Sequence, residues 1–252
     1  MAGAVTAVDA GGLSILAGSF AIWTASTDAI LQYLRPTMRP WLILAGAFLV
    51  LIGIVQLVRG IRHPETATAD AHRGHRRVGW LVALPVCVAM VVSPGALGSF
   101  AAGRQSQLRT LPTGDFDLER HLQSHSFAGQ VPVLTLSMFL SAAGSEGHRR
   151  QLAAQPVRLV GFAADAAHDD RFLLTRFTIG CCAGDAQALQ VDVRGFEGPP
   201  PDEDTWVEVE GDFEPVASPV QRRLDDPFVP PRLVARNVRT VSEPDSPYES
   251  PW

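Results

Sequence analysis

The hydrophobic positions along this chain change their period once. Up to about residue 103 they form long runs; beyond residue 155 they form short runs with polar residues interleaved. Three of the long runs, about 11–34, 41–58 and 79–102, approach or exceed the roughly 20 residues that a helix needs to cross about 30 Å of hydrocarbon. They predict a block of three transmembrane helices over residues 1–103. The first run is interrupted by Thr24, Ser26, Thr27 and Asp28, and the second carries only Gln56 as a polar residue. The third contains Pro85 and Pro94, which membrane helices tolerate where neighbours satisfy the freed carbonyls. A signal peptide is the alternative for the first run, but the run lacks a basic leading region and a small-residue cleavage site before Tyr33.

Residues 104–155 are more polar and read as a helical connector. Short helices are predicted at 115–122, capped by Thr113 or Asp115, and at 134–143, with Thr135 or Ser137 near the start. Residues 156–242 then hold five strand-like runs: 157–164 (VRLVGFAA), 172–181 (FLLTRFTIGC), 189–196 (LQVDVRGF), 206–213 (WVEVEGDF) and 232–241 (RLVARNVRTV). Turn signals at Asp169-Asp170, Gly184-Asp185 and residues 199–202 (PPPD) separate them. Five short strands with one buried face predict an OB-like small barrel or an antiparallel sandwich, since closure removes sticky edges. A Pro-rich loop stands where an OB-like barrel has a helix between its third and fourth strands. Residues 243–252 read as an irregular tail. The fold class is an α+β membrane protein, with three transmembrane helices followed by a soluble, mostly β domain.

Charge sharpens this division. Up to Gly103 there are seven arginines against four acids; from Arg104 onward there are fourteen against twenty-two, so the two parts carry about +3 and −8. The loop between the second and third runs holds Arg59, Arg62, Arg73, Arg76 and Arg77, whereas the loop between the first two holds only Arg35 and Arg39. The positive-inside rule then places the N-terminus in the cytoplasm and the C-terminal domain outside the cell membrane. An acidic extracytoplasmic domain excludes nucleic acid as a partner, because phosphate would be repelled. Asp28 marks a functional site if it lies in hydrocarbon, or an interfacial residue if the helix ends there. His63, His72 and His75 form a loose group flanked by arginines, in a loop that reads as a solvated linker rather than a metal site.

Three cysteines are too few for a disulfide scaffold: Cys87 lies in an apolar run, and Cys181 and Cys182 are adjacent. Gly180 and Gly184 flank the pair, and Asp185 follows it. Two thiolates and a carboxylate suit a divalent or soft metal ion, with further ligands from His121, His125 or a partner chain. Adjacent strand residues point to opposite faces, which opposes a shared ion unless the backbone bends. A strained vicinal disulfide and a purely packing role are the alternatives. Arg176 shares a strand face with Gly180 and Cys182, from where it could favour a thiolate; a rim ion pair is its other reading. No P-loop, dinucleotide fingerprint, zinc-protease motif or nucleophile elbow is present, and no catalytic residue is predicted.

Several stretches are distinctive together. Tyr33-Leu34-Arg35-Pro36 is followed by Met38 and Pro40, and Leu84-Pro85 runs through to Pro94-Gly95-Ala96-Leu97-Gly98. Arg176-Phe177-Thr178-Ile179 precedes Cys181-Cys182 and Asp185. Trp206-Val207 with Gly211, and Pro247-Tyr248-Glu249, complete the set. In these the chain resembles a bacterial family of permease subunits described as YcgQ-like, with a C-terminal domain of unknown function. The resemblance implies an accessory subunit of a two-component system in the lipid bilayer. Its partner would be a multi-helix permease related to exporters of organoarsenicals and other metals or metalloids. The expected function is therefore that of a permease subunit with an extracytoplasmic β-domain. The alternative is an extracytoplasmic metal-binding or thiol redox membrane protein acting without a permease. Ala45, Gly46 and Gly53 are the small residues expected to allow close helix packing.

Overall fold

The computed structural model describes residues 2–62, 96–104, 118–126, 130–168, 170–215 and 229–249. The chain divides into two compact units, Met1–Ala96 and Leu97–Trp252.

In the first unit, α1 (Ala2–Ala25) and α2 (Arg39–Arg62) form a hairpin joined by two short 3-10 turns. The first helix therefore lies N-terminal to the predicted 11–34 and ends before Asp28. The hydroxyl groups at the break explain this. Thr24 Oγ1, Ser26 Oγ and Thr27 Oγ1 donate back to the carbonyls of Phe20, Ile22 and Thr24 at 3.0, 2.8 and 2.9 Å, competing for the acceptors that a continuing helix needs. Asp28 sits beyond the helix and pairs with Arg39 at 2.7 Å. Among the described residues, Pro36–Arg62 is long and apolar enough to cross a membrane, and Ala10–Ala25 is apolar but shorter. Among the described residues one helix thus meets the requirement, with a second that is apolar but shorter, where three were predicted. The third run lies outside the described residues except at its end, where Ser99–Ala102 form the short helix α3.

Small residues seven apart line the hairpin seam: Gly11 and Gly18 on α1 face Gly53 and Gly46 on α2. A Cβ added at Gly18 would stand 2.5 Å from the Gly46 carbonyl oxygen, and one at Gly53 would stand 2.7 Å from that of Gly11. The backbones therefore touch, as small residues allow between apolar helices. Gly46 and Gly53 are spent on this internal contact, whereas Ala45 is exposed.

In the second unit, α4 (Leu118–Ser126), α5 (Leu136–Gly144) and α6 (Glu146–Leu152) precede the strands. Thr135 caps α5, its hydroxyl accepting from Met138 N at 3.1 Å. The strands are β1 (Val157–His168), β2 (Arg171–Thr178), β3 (Gln187–Arg194), β4 (Trp206–Glu214), β5 (Arg232–Thr240) and β6 (Tyr248–Glu249). The first five close in the order β1-β2-β3-β5-β4-β1, with β3 and β5 parallel and the other pairs antiparallel. This is a closed five-stranded barrel, and the sandwich alternative is not formed. No helix lies between β3 and β4, as the Pro-rich loop implied.

Alternation drives the closure. Leu159, Phe172, Leu174, Val191, Val193, Val209 and Leu233 are fully buried inside. Helix α5 adds Phe139 to this core, edge-on to Phe213 with ring centroids 5.7 Å apart. Gly161 permits the β1–β2 crossing, where a Cβ would stand 2.6 Å from the Thr175 carbonyl oxygen.

The tail read as irregular carries β6. Beyond Thr175 the paired register of β1 with β2 ends, and β6 pairs in parallel with Phe177 and Thr178. Arg176 donates to the carbonyls of Ser246 and Pro247 at 2.8 and 3.2 Å, and the buried Glu249 reaches α5.

The hairpin seam makes a discriminating prediction. Gly18→Ala should destabilise the hairpin by about 1–3 kcal/mol through overpacking. Gly12→Ala, whose Cβ would meet nothing within 4 Å, should instead stabilise α1 by up to about 1 kcal/mol. Thermal unfolding in detergent, followed by helical circular dichroism, reads both.

Candidate metal centre

The cysteine loop begins where β2 stops. β2 ends at Thr178, Ile179 is buried, and the chain bends at Gly180 and Cys181 before a 3-10 turn over Ala183–Asp185. The predicted strand over 172–181 is thus three residues too long. The rule that adjacent strand residues diverge consequently does not govern this pair. Asp185 N donates to Cys182 O at 3.0 Å and closes the turn. The Asp185 carboxylate folds back over the entry and accepts from Gly180 N at 2.9 Å and Cys181 N at 2.8 Å. Gly180 leaves room for this return, since a Cβ there would stand 3.0 Å from Asp185 Oδ2, a tight contact.

The result is convergence. The sulfurs of Cys181 and Cys182 and a carboxylate oxygen of Asp185 all lie within 4.8 Å of one another. Both cysteines are free thiols; Cys181 and Asp185 are exposed, and Cys182 is half-buried. Zinc–sulfur bonds of about 2.3 Å in a tetrahedron put ligand atoms about 3.8 Å apart, so small side-chain rotations would gather all three around one ion. Two sulfurs and one oxygen suit a thiophilic or borderline divalent cation, and exposure leaves a fourth position open to water or another donor.

The electrostatics oppose thiolate formation by the loop alone. Hydrogen bonding to Asp185, then to Cys182, pushes the Cys181 thiol up to about 11. The Asp185 carboxyl is shifted the other way. Desolvation alone would raise it, but hydrogen bonds from the Cys181 thiol and from the N–H groups of Cys181, Gly180 and Cys182 hold it below its ordinary value. A carboxylate beside a thiol makes a poor nucleophile and a poor redox centre near neutral pH.

The other predicted residues are placed elsewhere. Arg176 is mostly buried. It lies over the Trp206 ring at 5.6 Å and 4.0 Å from Glu249, and its hydrogen bonds run to the tail carbonyls. The shared face with Cys182 does not arise, because β2 ends first. Burial lowers its pKa from the ordinary arginine value, partly offset by Glu249. His121 Nε2 lies 2.9 Å from Val133 O, and the cluster of metal-ligating groups among the described residues comprises only the two cysteines and Asp185. The His125 side chain, His63, His72, His75 and Cys87 lie outside the described residues.

The family model described as DUF1980 C-terminal domain matches residues 146–249. The match spans α6, the barrel, the cysteine loop and β6, and is consistent with the YcgQ-like resemblance in this domain. No curated protein and no solved structure matches the chain.

Labelling kinetics test the electrostatics. Because the Cys181 thiol is pushed up to about 11, its alkylation should be slow at pH 8 and accelerate as pH rises toward that value. Asp185→Asn removes the carboxylate that accepts from the Cys181 thiol and should speed labelling of Cys181 at pH 8 by at least about tenfold. Peptide mapping after a timed iodoacetamide pulse, with Cys182→Ser as background, reads the rate.

Proposed function

We propose that this chain is a membrane-anchored accessory subunit of a permease system for a thiophilic metal or metalloid. Its extracytoplasmic barrel holds the cargo at Cys181, Cys182 and Asp185. The convergence of these three donors within 4.8 Å carries the reading. The apolar Pro36–Arg62 helix supports the anchor, and the arginines of the loop after α2 support the external position of the barrel.

In this reading the chain performs no bond chemistry. The two sulfurs supply affinity for a soft cation, and the carboxylate supplies charge and holds the loop through the amides of Gly180 and Cys181. Loading releases thiol protons, so affinity rises with pH. The open fourth position allows the cation to leave by ligand exchange to a permease donor. The hairpin exposes Trp41, Leu44, Phe48 and Leu51, an apolar surface suited to lipid or to permease helices.

Equilibrium binding of zinc and cadmium to the full chain in detergent tests the cargo site. Cys181→Ser and Cys182→Ser should each weaken binding by at least about a hundredfold, beyond what outer-shell changes cost. Undiminished binding in the double variant would eliminate this site. Co-expression with a multi-helix permease should yield a detergent-stable complex, and a chain that crosslinks only to itself would overturn the subunit assignment.

A further inference from the structure

We infer that the closing tail, clamped by Arg176 and Glu249, is the positioning element for the cysteine loop, so that tail docking and cation binding are one coupled equilibrium. The inference rests on the cation site proposed above.

Three consecutive amides fix the loop entry. Ile179 N donates to the Glu249 backbone carbonyl at 3.4 Å, whereas Gly180 N and Cys181 N donate to Asp185. The Thr178 hydroxyl donates to the same Glu249 carbonyl at 3.2 Å. The tail therefore sets the last fixed backbone point two residues before the first sulfur. The far end of the loop is set separately by β3, where Gln187 pairs with Thr178.

The tail is held from three directions. Arg176 forks onto the carbonyls of Ser246 and Pro247. The Glu249 carboxylate accepts from Leu136 N, Ser137 N and Ser137 Oγ at 2.7, 2.9 and 2.8 Å. The Tyr248 hydroxyl accepts from Leu97 N at 3.2 Å. Arg176 touches no donor of the site, yet its clamp bears on the Cys181 backbone through Glu249 and Ile179. If the tail undocks, the Ile179 amide loses its acceptor and the bend that brings both sulfurs to Asp185 loses one wall. By linkage, an ion that needs the bend must favour the docked tail by the same factor.

A cadmium titration of the full chain in detergent, read by sulfur-to-cadmium charge-transfer absorption, tests the coupling. Glu249→Ala and Arg176→Ala should weaken affinity by about 10- to 100-fold, the range for partners that orient ligands without binding the metal. They should reach the wild-type absorbance per bound cadmium, because both sulfurs are retained. Cys181→Ser or Cys182→Ser should instead lower that absorbance. Arg176→Lys, which keeps the charge and loses the fork, should fall between wild type and Arg176→Ala. In the wild type, cadmium should slow amide hydrogen exchange at Ile179 and across 246–249. Folded alanine variants with wild-type affinity, or tail exchange indifferent to cadmium, overturn the coupling and leave the cation site standing. Absence of any charge-transfer band in the wild type overturns the site, and the coupling with it. Should the alanine variants fail to fold, Arg176→Lys and wild-type exchange decide.

Discussion

The C-terminal half of this protein depends on one buried carboxylate. Glu249 sits at the N-terminus of α5, where the first amides of a helix have no acceptor of their own, and it satisfies two of them and a hydroxyl. The helix dipole favours an anion there, and Arg176 supplies a neighbouring positive charge 4.0 Å away. Removing one partner from such a buried arrangement costs several kcal/mol, because the other is left desolvated and uncompensated. The tail is therefore a structural member. It joins the helix that carries Phe139 into the barrel core to the strand that leads into the cysteine loop.

A second constraint operates in the helical hairpin by a different means. No ion pair or long side chain bridges Gly18 to Gly46 or Gly11 to Gly53; the backbones approach because nothing intervenes. Such a seam gains from dispersion and close packing alone, which is the contact still available where apolar surroundings weaken the hydrophobic drive between helices. The cost falls on both helices, because the seam glycines of α1 and α2 are poor helix formers. The outer face of α2 carries large exposed side chains, among them Trp41, Leu44, Phe48 and Leu51, so in the proposed function any lipid or permease contact would fall there and not on the glycine stripe.

Legibility in the sequence followed the range of the interactions. All five barrel strands were readable from alternation, because an inward Val191 or Val209 declares itself against its immediate neighbours. The helix break before Asp28 was only partly readable: the run of hydroxyls interrupts the predicted 11–34 helix, which nonetheless was carried through them. The short β6 was not readable. Its pairing partners Phe177 and Thr178 lie 71 residues away, and two residues show no period. The strand face assigned to Arg176 failed for a related reason, while its ion-pair reading meets Glu249 at 4.0 Å. Its face was projected along a strand to Cys182, whereas the bend at Gly180 cuts that projection. Cys181, Cys182 and Asp185 were identifiable as chemistry from their proximity in the chain. Their convergence depends on two amide hydrogen bonds that no pattern of residue types reveals.

The geometry of that loop also ranks the chemical alternatives left open by its composition. A redox or nucleophilic cysteine needs a neighbour that favours thiolate; Cys181 has Asp185, which favours the thiol. Packing alone does not explain an exposed sulfur placed beside an exposed carboxylate held by two backbone amides. A cation reverses the sign of the local field. With a divalent charge among the three donors, the carboxylate that opposes deprotonation of Cys181 would become a ligand beside it. The same arrangement is thus unfavourable for a free Cys181 thiolate and compatible with the soft cation proposed above. If the site takes up a cation as proposed, the Cys181 proton held while it is empty would be released on loading, and uptake and release would respond to whatever donor or proton arrives at the open face.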